Sequence, residues 1–271
     1  MRYLVVPSQE TETWKEYLVS KGWMERTLSI EIEGSGRAIP LSNLFPNKAP
    51  INLSKFDIIE KNAPTISPND YLGFLKIKVG EKTYNELENF WPQSFDQIGE
   101  LIIIKLEKEV EIFAKEIAQS LLSQNKKATR IFQDLGVQGN FRIRKLNLIG
   151  GPEKLGGETK VRENGVEFFV DPTKGYYSPR LATERLETLE CAVILKEKLK
   201  RKLKICDAYA GFGPALMPLI KKKGLVDSIF ANDLNPKVTT ILQKNLIDNN
   251  KENINLRITC EDARKLISLN E

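Results

Sequence analysis

Leu203-Lys204-Ile205-Cys206-Asp207-Ala208-Tyr209-Ala210-Gly211-Phe212-Gly213-Pro214 decides how the C-terminal region of this chain is read. Its first five residues predict a short strand that ends on a carboxylate. A turn with two glycines follows, and Pro214 opens a helix reaching Lys223. Glycine lets a backbone approach a ligand closely, and a helix N-terminus adds partial positive charge. Downstream the pattern repeats: Ser228–Asp233 reads as a strand, Pro236–Asn249 as a helix and Ile254–Cys260 as a third strand. Such alternation with short links predicts a parallel, doubly wound α/β sheet, which binds ligands at the carboxyl ends of its strands. Asp233 closes the second strand and Asp262 follows the third. Ribose hydroxyls of a nucleoside cofactor are held at the end of a second strand in such sheets.

The turn does not suit a nicotinamide dinucleotide, because Ala215-Leu216 replaces the third glycine of that fingerprint. No G-x-x-x-x-G-K-[ST] cradles a triphosphate. A G-x-G turn by itself is equally a tight strand-to-helix connection. The fuller pattern D-x-x-A-G-x-G-P resembles the cofactor loop of S-adenosylmethionine methyltransferases.

A pair of small α+β regions is expected upstream of the α/β region, giving domains at 1–68, 69–165 and 166–271. In the first, Arg2–Val6 reads as a strand, Glu10–Lys21 as a helix and Leu28–Ile32 as a strand before the turn Gly34-Ser35-Gly36. Five prolines between Pro40 and Pro68 predict irregular chain leading to a linker. In the second, Leu101–Leu106, Ala128–Phe132 and Phe141–Ile149 read as strands, with a helix over Lys108–Leu122. Val166–Val170 is a further strand.

Composition narrows the chemistry. The 271 residues carry 41 Lys and Arg against 36 Asp and Glu, a net charge of +5, compatible with a polyanionic partner. Histidine is absent, which removes Ser-His-Asp and Cys-His catalysis and every His-ligated zinc site. Cys191, Cys206 and Cys260 form no C-x-x-C, so no metal is expected, and they read as buried small hydrophobes in a reducing, cytoplasmic setting. No membrane partner is expected either, since apolar runs such as Leu101–Ile104 are too short to span a bilayer. The segment Lys196–Lys204 reads as a solvated helix face, with nucleic-acid contact as the alternative.

The blocks before the glycine turn make the resemblance specific. Gly175-Tyr176-Tyr177-Ser178-Pro179-Arg180-Leu181-Ala182-Thr183-Glu184-Arg185 is similar to a signature of the archaeal and eukaryotic tRNA (guanine-37 N1)-methyltransferases. The turn itself, Phe230–Pro236 and Glu261–Arg264 match in order. Ser94–Glu100, Val137–Arg142 and Thr159–Asn164 resemble further blocks of that family. The resemblance implies a Rossmann-like class I methyltransferase domain behind a tRNA-reading N-terminal domain and a middle domain. It implies S-adenosyl-L-methionine as cofactor, and tRNA, both anticodon loop and body, as partner. The target would be N1 of the guanine 3′ of the anticodon, a base that must be splayed from its stack to be reached.

By the same resemblance Glu184 is the general base that takes the N1 proton, and Arg142 the cation facing O6. Beside these stand plainer readings. Glu184 could be a helix-start carboxylate pairing Arg180 or Arg185, and Arg142 a solvated member of the run Arg142-Ile143-Arg144-Lys145. Arg180 orders the active-site loop or touches phosphate, or forms a structural ion pair. Arg185, Asp207, Ala210, Gly211, Gly213, Asp233, Leu234, Asp262 and Ala263 are the expected cofactor set. Asp233 with Leu234 is placed at the ribose and Asp262 with Ala263 at the adenine edge. Tyr176 and Tyr177 read as base-stacking aromatics or as core.

One departure from the family stands out. A member would carry an N-P-P-type loop after the Glu261–Arg264 block and several further strands, so the cofactor domain is expected to be C-terminally incomplete, a fragment of an enzyme that is monomeric at full length. Wyosine-pathway chemistry on the tricyclic base at the same position, or a non-catalytic tRNA-binding remnant, are the alternative functions.

Overall fold

The computed structural model describes residues 1–26, 28–61, 68, 70–139, 141 and 143–266. The chain divides into two compact units, Met1–Ser67 and Pro68–Glu271. In the first unit β1 (Arg2–Pro7) lies inside an antiparallel sheet ordered β2 (Glu31–Glu33), β3 (Gly36–Pro40), β1, β4 (Ile58–Glu60). Leu18 of α1 (Thr11–Ser20) joins Leu4, Val6, Ile39 and Phe45 in its core. Two sequence expectations are corrected here. The strand expected over Leu28–Ile32 is shorter and starts at Glu31. The proline-rich stretch is not irregular throughout, because β3 ends on Pro40 and Ile58–Glu60 pairs with Arg2–Leu4 of β1. Apolar β1 is buried from both sides only if strands flank it, and these short segments supply the ladder hydrogen bonds. Pro64 lies outside the described residues.

The second unit begins with α2 (Tyr71–Val79) and α3 (Glu81–Glu86), neither of which the sequence reading anticipated. A mixed sheet follows, ordered β5 (Asp96–Ile98), β6 (Leu101–Ile104), β7 (Arg130–Gln138), β8 (Ile143–Gly150). β6 and β7 run parallel, joined through a tight turn at Lys108–Phe113 and α4 (Ala114–Gln124). The uninterrupted apolar run of β6 has a simple cause, since both faces of that strand are covered. Ile102 and Ile104 enter a core with Leu75, Trp91 and Ile117, whereas Leu101 and Ile103 face the opposite core.

That opposite core is continuous with the α/β region. The hairpin β9 (Thr159–Glu163) and β10 (Val166–Val170) puts Val161 and Phe168 in one apolar cluster with Ile103, Phe212, Leu219 and Leu242. The hairpin therefore spans the 165/166 boundary drawn from the sequence. Asn164 and Gly165 at its tip both have positive φ, 48° and 74°, the backbone that an Asn-Gly two-residue turn supplies. After α5 (Ala182–Leu199) come β11 (Leu203–Asp207), α6 (Leu216–Lys221), β12 (Val226–Asn232), α7 (Pro236–Asn249), β13 (Asn255–Thr259) and α8 (Ala263–Leu266). β11, β12 and β13 are parallel and adjacent in that order, so the expected Rossmann-like α/β arrangement is present.

Candidate functional site

The carboxyl ends of β11, β12 and β13 converge, and a buried amide builds the junction. Asn232, 1% exposed, donates from Nδ2 to the carbonyls of Ala208 (3.0 Å) and Glu261 (2.9 Å). Its Oδ1 accepts from Thr259 Oγ1 (2.7 Å) and the Glu261 amide (3.0 Å). One side chain thus ties the glycine turn to the loop after β13, with every polar atom satisfied. Asp233 sits beside it, half-buried. Its Oδ2 accepts from the Gly211 amide at 2.9 Å and its Oδ1 from the Asn235 amide at 2.9 Å. Asn235 in turn caps α7 by accepting from Lys237 and donates to the Lys174 carbonyl at 2.7 Å.

The turn is shaped by its glycines. Gly211 and Gly213 hold φ of 56° and 82°, which L side chains rarely adopt. A Cβ on Gly213 would lie 2.7 Å from Leu242 Cδ1, whereas one on Gly211 would meet nothing within 4 Å. A side chain at Gly213 would therefore need Leu242 to shift, whereas Gly211 borders open space. Behind the turn Asn245 of α7, fully buried, donates to the carbonyls of Phe212 (2.9 Å) and Phe169 (2.8 Å) and accepts from the Phe169 amide (2.7 Å).

The rim is acidic. Burial pushes the Asp207 carboxyl above its ordinary range, with neighbouring Asp233 adding to the effect against the hydrogen bond from the Tyr209 amide. Asp262 is held at about 2 by Arg264, which chelates both of its oxygens. Ala210 is buried, Leu234 exposed and Ala263 half-buried. Carboxylates at three adjacent strand ends suit a ligand that offers hydroxyl donors and positive charge, and they disfavour a diphosphate.

A second cluster surrounds the Ser178–Arg185 segment. Arg180 donates to Asp96 Oδ1 at 2.6 Å, and Arg144 reaches Asp96 Oδ2 at 3.3 Å and Asp134 at 3.8 Å. These groups line a groove of about 360 Å³ with Lys105 and Val137. The basic run is thus partly committed: Arg144 is paired, Lys145 is exposed, and Arg142 lies outside the described residues. Arg185 is buried, donating to Glu163 Oε2 (2.6 Å) and the Ser178 carbonyl (3.0 Å). Glu184 beside it is exposed, and among the described residues its carboxylate has no ion pair, so neither Arg180 nor Arg185 neutralises it.

Tyr177 is core, its hydroxyl pushed up by burial and by the hydrogen bond to Glu163, and Tyr176 is exposed. The cysteines depart from expectation, since all three are exposed. Cys206 alternates outward on β11, and Cys260 lies just past β13, where it donates to the Leu234 carbonyl. Among the described residues no group of acidic or sulfur ligands could hold a metal, and no helix is long and apolar enough to cross a membrane.

Residues 159–270 match the model of the TRM5/TYW2 methyltransferase domain, and residues 76–154 that of the TYW2 N-terminal domain. A curated relative from Pyrococcus abyssi (strain GE5 / Orsay), tRNA (guanine(37)-N(1))-methyltransferase Trm5b, is 32% identical over 252 residues, covering 92% of this chain and 68% of its own length. The chain belongs to the TRM5/TYW2 methyltransferase family. The crystal structure of wild-type Trm5b from Pyrococcus abyssi superposes with a TM-score of 0.63 at 30% identity, over 98% of this chain and 73% of that one. The complex structure of aTrm5 and tRNALeu gives 0.71 at 23% identity, over 98% and 76%, a likeness of fold. For this TRM5/TYW2 member the family model and the α/β sheet coincide, since 159–270 takes in the hairpin and all three parallel strands.

Sequence reasoning did not single out Asn232, Asn245 or Glu163 as structural keystones. Asn245 carried a signal, because it falls on the apolar stripe Val238, Ile241, Leu242, Leu246 of α7. A lone amide there must find partners inside.

Proposed function

We propose that this protein methylates N1 of guanine 37 in tRNA, using S-adenosyl-L-methionine. The observation that carries the reading is the acidic rim around an open glycine turn in a TRM5/TYW2 domain. Asp207, Ala210, Gly211, Gly213, Asp233, Leu234, Asp262 and Ala263 would hold the cofactor, with Asp233 toward ribose hydroxyls and Asp262 toward the adenine edge. When bound, it supplies an electrophilic methyl group. Arg185 is spent on Glu163 and Ser178, and we assign it to positioning rather than to cofactor contact.

N1 of guanine carries a proton at neutral pH, and methylation without its removal leaves a cationic ring. Glu184, exposed and without an ion pair among the described residues, takes that proton, and Arg142 offsets the negative charge that develops on O6. Arg180, anchored on Asp96, orders the loop that presents Glu184. The unit up to residue 67 would read the tRNA body, and the unit from Pro68 onward would hold the target base and the cofactor. A cytoplasmic monomer fits three cysteines that form no disulfide.

The direct test is mass spectrometry of tRNA nucleosides after incubation with protein and cofactor. N1-methylguanosine at position 37 is expected. A methylated tricyclic base or an aminocarboxypropyl adduct would assign the protein to wyosine chemistry instead. Two further outcomes follow from the site. Asp233→Ala removes a charged acceptor worth roughly 1.5–3 kcal/mol, so calorimetry should show S-adenosylmethionine binding at least about tenfold weaker; unchanged affinity removes Asp233 from the site. RNA binding should weaken steeply with added salt, because phosphate contacts release counterions. A flat plot of log K against log salt leaves the basic excess merely solvated.

A further inference from the structure

We propose that Glu163 is a positioning residue that holds both ends of the Tyr177–Arg185 segment and thereby sets the place of Glu184. This inference rests on the reading of Glu184 as the base. Glu163 ends β9, and its side chain is 7% exposed. A single oxygen, Oε2, accepts from the Tyr177 hydroxyl at 2.8 Å and from Arg185 Nη1 at 2.6 Å. Tyr177 and Arg185 are the first and last residues of one nine-residue stretch, so one carboxylate oxygen closes that stretch into a loop. Arg185 also binds back to the Ser178 carbonyl at 3.0 Å, and its guanidinium lies over the Tyr177 ring at 5.2 Å from the centroid.

The neighbouring residue grips the same segment from the hairpin tip. Asn164 Nδ2 donates to the Ala182 carbonyl at 3.2 Å, in the first turn of α5. Glu184 lies between these two anchors, adjacent to one and two residues from the other. Among the described residues its own carboxylate has no ion pair, so its direction depends on the backbone beneath it. The other oxygen of Glu163, Oε1, has no hydrogen-bond partner among the described residues. All of the charge pairing therefore runs through Oε2, and a buried arginine loses its counter-charge if it goes. Displacement of a catalytic group by about 1 Å can cost on the order of 10²-fold in rate. That sets the expected scale.

The test compares the protein with Glu163→Gln, which keeps the shape and removes the charge, and with Glu163→Asp, which keeps the charge on a shorter stem. In Glu163→Gln the amides of residues 178 and 180–186 should exchange hydrogen roughly tenfold or more faster, while β11 to β13 exchange as before. At saturating tRNA and cofactor the single-turnover rate should fall about 10²-fold with both KM values unmoved. Added to Glu184→Gln, the same change should cost nothing further, because it acts through Glu184.

Unchanged exchange, an unchanged rate, or a loss that multiplies with that of Glu184→Gln would each overturn the proposal. If Glu163→Gln does not fold, Glu163→Asp is read by the same criteria. If the unaltered protein leaves guanine 37 unmethylated, the functional reading has failed. The exchange measurement then decides the clamp alone.

Discussion

Glu184→Gln is expected to slow methyl transfer by about 10²–10⁴, the usual worth of a general base. An amide of the same shape cannot take the N1 proton, while cofactor and tRNA affinities should hardly move. The carboxylate is exposed and has no ion pair among the described residues, which makes the substitution structurally mild, so the loss is chemical. Arg142→Ala should also slow the step, through lost stabilisation of O6. A parent rate in Glu184→Gln places the base elsewhere and leaves the Ser178–Arg185 segment structural.

Asn245→Ala is expected to cost about 3–5 kcal/mol of folding stability, read from urea or thermal unfolding. It strands the buried carbonyl of Phe212 and the partly buried amide and carbonyl of Phe169. Each buried group left unpaired costs roughly 1–3 kcal/mol, partly relieved where water enters. The effect should reach the cofactor turn, because the Phe212 carbonyl lies between Gly211 and Gly213. Cofactor affinity should therefore fall although Asn245 faces away from the rim. A loss below about 1 kcal/mol would show that the amide is not the link between α7 and the turn.

The α/β region was legible because its punctuation is local. Asp207 to Pro214 marks a strand end, a glycine turn and a helix start within eight residues, and α7 is bounded by Asn235-Pro236. β11 and α7 coincide with the expected segments, and β12 and β13 differ only at their ends. The small strands were less legible. β4 is three residues long among prolines, too short for alternation to register. β9 was overlooked although Asn164-Gly165 between two apolar-alternating runs is a strong hairpin signal. The cysteines were misread as buried because composition favours that state, whereas Cys206 faces out on β11 and Cys260 is exposed just past β13. The site divides in the same way. Asp207, Asp233 and Asp262 could be placed from strand ends alone. Asn232 and Asn245, which tie down the loops around them, act across 24 to 76 residues of sequence and emerge only when the sheet is assembled.

The hairpin of β9 and β10 has a consequence for how this chain can be taken apart. Arg130 of β7, buried, donates to the carbonyls of Leu155, Gly156 and Glu158 just before β9, and Thr159 Oγ1 accepts from the Glu100 amide. On its far side the hairpin is bound by Asn245. A cut at residue 165 would break a two-stranded ladder and open a shared apolar interior to water, leaving two pieces prone to aggregate rather than two exchangeable modules. A chimera that keeps residues 68 onward together preserves every one of these bonds. The hairpin thus joins the mixed sheet to the parallel sheet within one compact unit, and the chain is best divided near residue 68.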